Sequence, residues 1–106
     1  ASDFINDDPA LKVAYFLANA RYAMKPPFFN FAQAKWNLEE ALKLDENNWE
    51  TWVNLATVSF FLDDSVRGKE QLARAYRLRG RRFDLDDRAA HPLLREALER
   101  AGLGTQ

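Results

Sequence analysis

Residues 34–44 (Ala-Lys-Trp-Asn-Leu-Glu-Glu-Ala-Leu-Lys-Leu) and residues 68–78 (Gly-Lys-Glu-Gln-Leu-Ala-Arg-Ala-Tyr-Arg-Leu) match at their small and apolar positions, 34 residues apart. The matching pairs are Ala34 with Gly68, Leu38 with Leu72, Ala41 with Ala75, Leu42 with Tyr76 and Leu44 with Leu78. A period of this length, with apolar residues at helical spacing, is typical of stacked helical hairpins. Such arrays present extended binding surfaces, so the pattern favours binding over catalysis.

The composition allows one domain and gives no strong electrostatic preference. A chain of 106 residues forms one small domain, here predicted over residues 1–106. Fifteen basic and sixteen acidic residues leave a net charge of −1, which does not favour nucleic acid or an anionic membrane as partner. The chain has no Cys, which excludes disulfides and thiolate sites. No apolar run approaches the roughly 18 residues of a membrane-spanning helix.

The first residues bear on the compartment. The chain begins Ala1-Ser2-Asp3 without an initiator Met, as an exported protein does after removal of its leader. This start favours an exported or periplasmic protein over a cytoplasmic one. A cleaved tag would leave the same start, and residues 1–7 would then not be native.

Capping residues, Pro and Gly divide the chain into five predicted helices. The first begins at Asp8-Pro9 and ends at about Met24, before Pro26-Pro27. Its apolar positions include Leu11, Ala14, Tyr15, Leu17, Ala18 and Tyr22. The others cover about 29–44, 49 or 50 to 62, 65–79 and 87 or 91 to 100. No segment alternates long enough to predict a strand, so the predicted fold is all-α.

One stretch resembles the tetratricopeptide repeat family. The residues that carry the resemblance are Trp49, Trp52, Asn54, Leu55, Ala56, Gly68, Leu72, Ala75 and Leu78. The resemblance implies a short right-handed helical-hairpin solenoid with a first hairpin at about 8–45, a second at about 48–80 and a capping helix at about 87–101. Because such arrays need about three repeats for stability, two repeats imply a larger complex or a homo-oligomer.

Two residues of the second hairpin depart from the family pattern. Gly68 stands where Ala is commoner, and Ser59 stands where an aromatic residue is usual. Both departures are expected to loosen the hairpin, since Gly costs a helix interior about 0.5–1 kcal/mol relative to Ala. If Leu17-Ala18 corresponds to Leu55-Ala56, the first hairpin carries about four extra residues, in the loop at 25–28.

The resemblance also implies a concave groove lined by the first and third helices. Asn54 matches the Asn with which family members bond the backbone of a bound peptide. A mixed apolar and polar groove suits an extended or helical peptide. Alternatively, Asn54 bonds only within its repeat and the groove is empty or filled by another subunit. The predicted groove residues are Glu50, Val53, Asn54, Thr57, Phe61, Asn19 and Phe16.

Aromatic residues form a second candidate binding surface: Phe28, Phe29, Trp36 and Trp49. Phe28, Phe29 and Phe31 fall within four residues and cannot share one helical stripe, because neighbours on a helix lie about 100° apart. Either the loop folds over and buries these rings, or some of them form a patch at a protein interface, where aromatic residues are enriched.

A run of arginines is the third candidate: Arg74, Arg77, Arg79, Arg81 and Arg82. Arginine near a helix C-terminus interacts favourably with the helix dipole, and acidic residues follow the run directly. The sequence therefore favours a solvated, locally neutralised segment. Binding of phosphate or an acidic partner is the alternative.

Catalytic chemistry has little support in the sequence. His91 is the only His, it precedes Pro92, and no ligand-spaced cluster predicts a metal site. We expect no enzyme activity and no cofactor. The predicted function is a protein–protein interaction module, acting as a scaffold or accessory subunit. The alternatives are a peptide-binding carrier or chaperone for a transient client, and a subunit that contacts phosphate or nucleic acid through the arginine run.

Overall fold

The computed structural model describes residues 8–80 and 92–102. In these ranges the chain forms five helices and no strand, which confirms the all-α prediction. The helices are α1 (Pro9–Met24), α2 (Phe31–Leu44), α3 (Trp49–Phe61), α4 (Ser65–Arg79) and α5 (Pro92–Arg100). The predicted positions Arg81, Arg82 and His91 lie outside the described residues.

Side-chain caps fix where four of the helices begin. Asp8 Oδ1 accepts a hydrogen bond from the backbone N–H of Ala10 at 3.0 Å, directly before Pro9 at the first helical position. Asn30, Asn48 and Asp64 accept equivalent bonds at the starts of α2, α3 and α4. Each cap satisfies a backbone donor that has no partner within its helix.

The start of α2 differs from the prediction by two residues. Phe29 was expected inside the helix, but its φ is 45°, in the left-handed region, and the helix begins only after Asn30. Asn30 Oδ1 accepts from Gln33 N at 3.1 Å, so this cap sets the start. Phe28 and Phe29 consequently belong to the connection at residues 25–30 and are both exposed.

The helices pair in the order α1 with α2 and α3 with α4, while α3 also packs against α2 and α5. α3 is the central helix, because nine of its thirteen residues are buried. Leu55 and Val58 join a core cluster formed mainly by α1 and α2. Val53, Ala56 and Phe60 join a second cluster with residues of α4 and α5.

Three of the five paired positions of the two repeated stretches are buried in both helices. Ala34, Leu38 and Ala41 are fully buried, and Gly68, Leu72 and Ala75 are buried at the corresponding places in α4. α2 and α4 begin at Phe31 and Ser65, which are also 34 residues apart. The period read from the sequence therefore coincides with the spacing of these two helices.

The expected alignment of α1 with α3 is wrong in its register. Ala18 is exposed, whereas Ala56 is fully buried and faces the second core cluster. The fully buried alanine of α1 is Ala20, which packs with Leu17 in the first cluster. The small residue of the first hairpin is therefore two positions later than the sequence comparison placed it.

Gly68 and Ser59 have specific roles that the sequence comparison did not show. A Cβ on Gly68 would lie 2.7 Å and 2.8 Å from two ring atoms of Phe60, so the glycine makes room for that ring. Phe60 is buried in the second cluster. Ser59 Oγ donates to Gln71 Oε1 at 2.6 Å across the α3–α4 pair. Gly68 thus allows close packing of Phe60, and Ser59 adds a hydrogen bond between α3 and α4.

Candidate functional site

Three of the residues predicted to line the concave groove are in the protein interior. Val53 is fully buried, Thr57 nearly so, and Asn54 is 8% exposed. Val53 packs in the same cluster as Leu94 of α5. Because α5 packs against α3, these three side chains offer no open groove in the described chain.

The polar groups of this face are used within the molecule. Asn54 Nδ2 donates to the Glu50 carbonyl at 2.9 Å, and Thr57 Oγ1 donates to the Val53 carbonyl at 3.0 Å. Glu50 Oε2 accepts from Arg21 of α1 at 2.6 Å. Asn54 therefore makes the intramolecular bond that the sequence left open as an alternative.

Phe61 at the end of α3 belongs to a contact between the two hairpins. Its ring stacks on Phe31 of α2, with centroids 4.6 Å apart and planes 11° apart. Both rings are partly buried. Phe61 thus connects α3 to α2.

Three large exposed side chains, Tyr15, Tyr22 and Trp36, border an open groove of about 350 Å³ between α1 and α2. We call it the α1/α2 groove. Its lining comprises Tyr15, Phe16, Asn19, Tyr22, Ala23, Gln33, Trp36 and Asn37. A second depression of about 450 Å³ adjoins it through Gln33 and Trp36.

Aromatic rings form the walls of this groove. The Phe16 ring contacts Trp36 edge-on, with centroids 6.0 Å apart, and Tyr15 packs edge-on against Phe16 at 5.6 Å. Tyr15, Tyr22 and Trp36 are 52%, 63% and 54% exposed. These contacts hold the rings in place while leaving about half of each accessible.

The polar groups of the groove are uncharged. Asn37 lies on its floor and donates from Nδ2 to the Gln33 carbonyl at 3.0 Å. Among the described residues, no hydrogen bond uses the Trp36 indole, the Tyr15 or Tyr22 hydroxyl, or the Asn19 amide. The lining contains no Asp, Glu, Lys or Arg of the described chain.

The α1/α2 groove opens on the side of the first hairpin that faces away from α3. Phe31 contacts α3, and Trp36 is five residues further along α2, so the two side chains point about 140° apart. On α1, Arg21 reaches α3, whereas Asn19 points about 160° away from it. The groove is therefore distinct from the concave face predicted from the sequence, although Phe16 and Asn19 belong to both sets.

The aromatic residues predicted as a patch do not all lie together. Trp36 lines the α1/α2 groove, and Phe28 is joined to its edge through Tyr22, with ring centroids 5.1 Å apart. Phe29 is exposed outside the groove lining. Trp49 is partly buried against the second core cluster, with the Arg79 guanidinium 5.0 Å above its ring.

Two residues of the predicted basic run pack on tryptophans. Arg74 lies 5.5 Å over the Trp52 ring, and Trp52 Nε1 donates to the Glu46 carbonyl at 2.7 Å. Arg79 lies over Trp49 in the same way. These cation–π contacts hold both guanidinium groups against α3. Arg77 is exposed.

Five lining residues were not predicted from the sequence: Tyr15, Tyr22, Ala23, Gln33 and Asn37. The two tyrosines were counted only among the apolar residues of the first helix. α1 has two apolar stripes of identical spacing. Val13, Leu17, Ala20 and Met24 are buried, whereas Leu11, Tyr15, Ala18 and Tyr22 are exposed. A displacement of two residues puts the stripes about 160° apart. A helix that is apolar on two opposite sides was the available signal for a second contact surface.

Candidate metal ligands do not cluster in the described part of the chain. It contains no group of three His, Asp or Glu side chains placed to hold a metal ion. A hydrogen bond and the charge of Glu40 raise the pKa of Lys43, and this pair lies outside the groove lining.

None of the described helices combines the length and apolar character needed to cross a membrane.

Comparisons with known proteins leave the family of the chain open. No protein-family model, curated protein or solved structure matches the chain.

Proposed function

We propose that this protein is a non-catalytic protein-binding module of the tetratricopeptide-like type, acting as a scaffold or accessory subunit of a larger complex. The proposal is supported by the paired helices α2 and α4, in which three buried positions, Ala34, Leu38 and Ala41, recur 34 residues later as buried positions. Two hairpins and a terminal helix on α3 agree with a short stack of hairpins.

The observation that carries the proposal is the α1/α2 groove. Tyr15, Tyr22 and Trp36 are each more than half exposed and border one concave surface. Tyr and Trp dominate the binding energy of protein interfaces, because a large ring is buried with few rotatable bonds. Edge-on contacts with Phe16 already restrain Tyr15 and Trp36, which lowers the entropy that binding would cost.

This surface differs from the groove that the tetratricopeptide resemblance implies. On α3, three of the five residues that would face that groove are buried, while the first hairpin leaves an aromatic face open on its other side. In the proposed mode, a segment of the partner packs in the groove on α1 and α2, and α3 occupies the opposite side of the same hairpin.

Site-specific photocrosslinking tests the proposal. A photoreactive phenylalanine at position 15 samples the groove, and one at position 66, where Val66 is 72% exposed on α4, is the matched control. In an extract of the native source, position 15 should give a discrete protein adduct and position 66 should not. Excess unlabelled protein should compete for this adduct, and the Trp36→Ala variant should compete at least about tenfold less well.

Two results would contradict the proposal. Equal adducts from both positions would mean that the groove is not the binding surface. Equal competition by Trp36→Ala would mean that the exposed rings do not contribute to binding. Far-UV circular dichroism of Trp36→Ala is the folding control, since the side chain is more than half exposed.

The phosphate-binding alternative has less support, because Arg74 and Arg79 are held over tryptophan rings. It predicts affinity that falls steeply with salt. In the carrier alternative, a client binds the same groove but dissociates within the time of the experiment. A subunit partner, by contrast, stays bound and copurifies with the protein.

A further inference from the structure

The chemistry of the α1/α2 groove indicates which kind of polypeptide it binds, given the proposed protein-binding function. The described lining is neutral, so it offers no counter-charge to an acidic or basic segment. A buried charge without a counter-charge is costly, so a neutral partner segment is favoured.

The lining is rich in hydrogen-bond donors. The Trp36 indole and the Tyr15 and Tyr22 hydroxyls can all donate, as can the Asn19 amide, and no hydrogen bond among the described residues uses them. A helical partner has already bonded most of its carbonyls internally. An extended partner in the polyproline II conformation has no internal hydrogen bonds, and its carbonyls remain free to accept.

The spacing of the two tyrosines along α1 agrees with the polyproline II conformation. Tyr15 and Tyr22 are seven residues apart on α1, which is about 10.5 Å along the axis. One turn of polyproline II contains three residues and spans about 9.3 Å. Residues i and i+3 of such a segment can therefore each meet one tyrosine, with Trp36 on the facing wall.

We propose that the α1/α2 groove binds a neutral, proline-rich segment of the partner in the polyproline II conformation. Proline rings pack on the faces of Tyr15, Tyr22 and Trp36, and the segment's carbonyls accept from the free donors. Aromatic-lined grooves suit such segments because the ligand is already ordered before it binds. The adjoining depression at Gln33 and Trp36 gives the segment room to continue past the tryptophan.

Proton–nitrogen NMR titration tests the inference directly, because each tryptophan indole gives its own resonance. The probe is a blocked nine-residue peptide of repeated Pro-Pro-Ala. The Trp36 indole resonance should shift with saturation, while the Trp52 indole, bonded to Glu46, should not. The affinity should be unchanged between about 0.05 and 0.5 M salt, because the lining has no charge to screen.

Variants separate the ring contact from the hydrogen bond. Trp36→Ala should weaken peptide binding about tenfold or more. Trp36→Phe keeps the ring and removes the indole donor, so it should weaken binding only a few-fold. Phe29→Ala, an exposed aromatic outside the lining, is the matched control and should bind as the parent does.

The alternatives have distinct outcomes. Binding of an amphipathic helical peptide at Trp36, without binding of the proline-rich probe, overturns this inference and leaves the protein-binding function standing. Trp36-dependent self-association on concentration, detected by translational diffusion, also overturns it, with a second copy as the occupant. If the Trp36 resonance responds to neither peptide nor concentration and the photocrosslink at position 15 is absent, both proposals fail.

Discussion

For Gly68→Ala, helix propensity predicts a gain in stability, whereas the packing in the structure predicts a loss. Gly68 is interior to α4, where Ala is favoured over Gly by about 0.5–1 kcal/mol. In the structure, an ideal Cβ at this position lies 2.7, 2.8 and 3.0 Å from three ring atoms of Phe60. Contacts this short require the ring or the helix to move.

The surroundings of Phe60 decide which effect is larger. Its ring is 1% exposed and packs in a cluster with Val53 and Leu72, so it has little space to withdraw. Overpacking of a core of this kind costs about 1–3 kcal/mol. After subtraction of the propensity gain, we expect Gly68→Ala to lower the free energy of unfolding by about 1 kcal/mol. For a chain of this size that corresponds to roughly 4 °C in Tm.

Urea denaturation followed by far-UV circular dichroism measures the change, and a double-mutant cycle identifies its cause. In a Phe60→Leu background the ring is gone, and Gly68→Ala should then stabilise the protein by about 0.5–1 kcal/mol. Ala34→Gly is the matched control at the corresponding position of α2, and it should destabilise the protein. If Gly68→Ala alone raises the stability, the ring moves aside without cost and the close-packing explanation is refuted.

Two further predictions concern the connection between α3 and α4. Asp63 follows the end of α3 and has a φ of 62°, in the left-handed region. The Asp63 N–H donates to the Phe60 carbonyl, and the Asp64 N–H donates to the Ser59 carbonyl. Asp63 therefore occupies the left-handed position of a helix C-terminal motif, a position that favours Gly. Asp63→Gly should therefore stabilise the protein by about 0.5–1 kcal/mol in urea denaturation. A lower stability of this variant would show that the 3.6 Å ion pair between Asp63 and Arg100 contributes more than the backbone strain costs. Asp64→Ala removes the N-cap of α4, so it should lower the free energy of unfolding by about 1 kcal/mol and lower Tm accordingly. Asp64→Asn keeps the cap and should leave Tm unchanged. Equal losses in both variants would exclude the cap as the cause.

The helix boundaries could be predicted because they depend on local chemistry. Asp8-Pro9 and Ser65 mark helix starts in the sequence, and α1 and α4 begin at those places. Gly80 was expected to end α4, and its φ of 89° places it in the left-handed region at the helix C-cap. Capping and backbone preferences act over a few residues, so the sequence carries them directly.

The faces of the helices were harder to predict, since they depend on which helices meet. The resemblance implied a capping helix on the last hairpin, but the sequence did not indicate that α5 would bury Val53, which was expected to face an open groove. On α1, equal spacing of two apolar stripes gave no basis for choosing the inner one. The α1/α2 groove depends on that choice, which explains why Tyr15 and Tyr22 were missed.

The central place of α3 has a consequence for how the molecule opens. Because Leu55 and Val58 belong to one core cluster and Val53 and Phe60 to the other, neither hairpin can separate without exposing part of this helix. The amide protons of α3 should therefore be among the slowest to exchange with solvent, at rates set by global unfolding. Tension applied to α1 by a bound partner would reach α4 mainly through this helix, so the described helices should respond as a single cooperative unit.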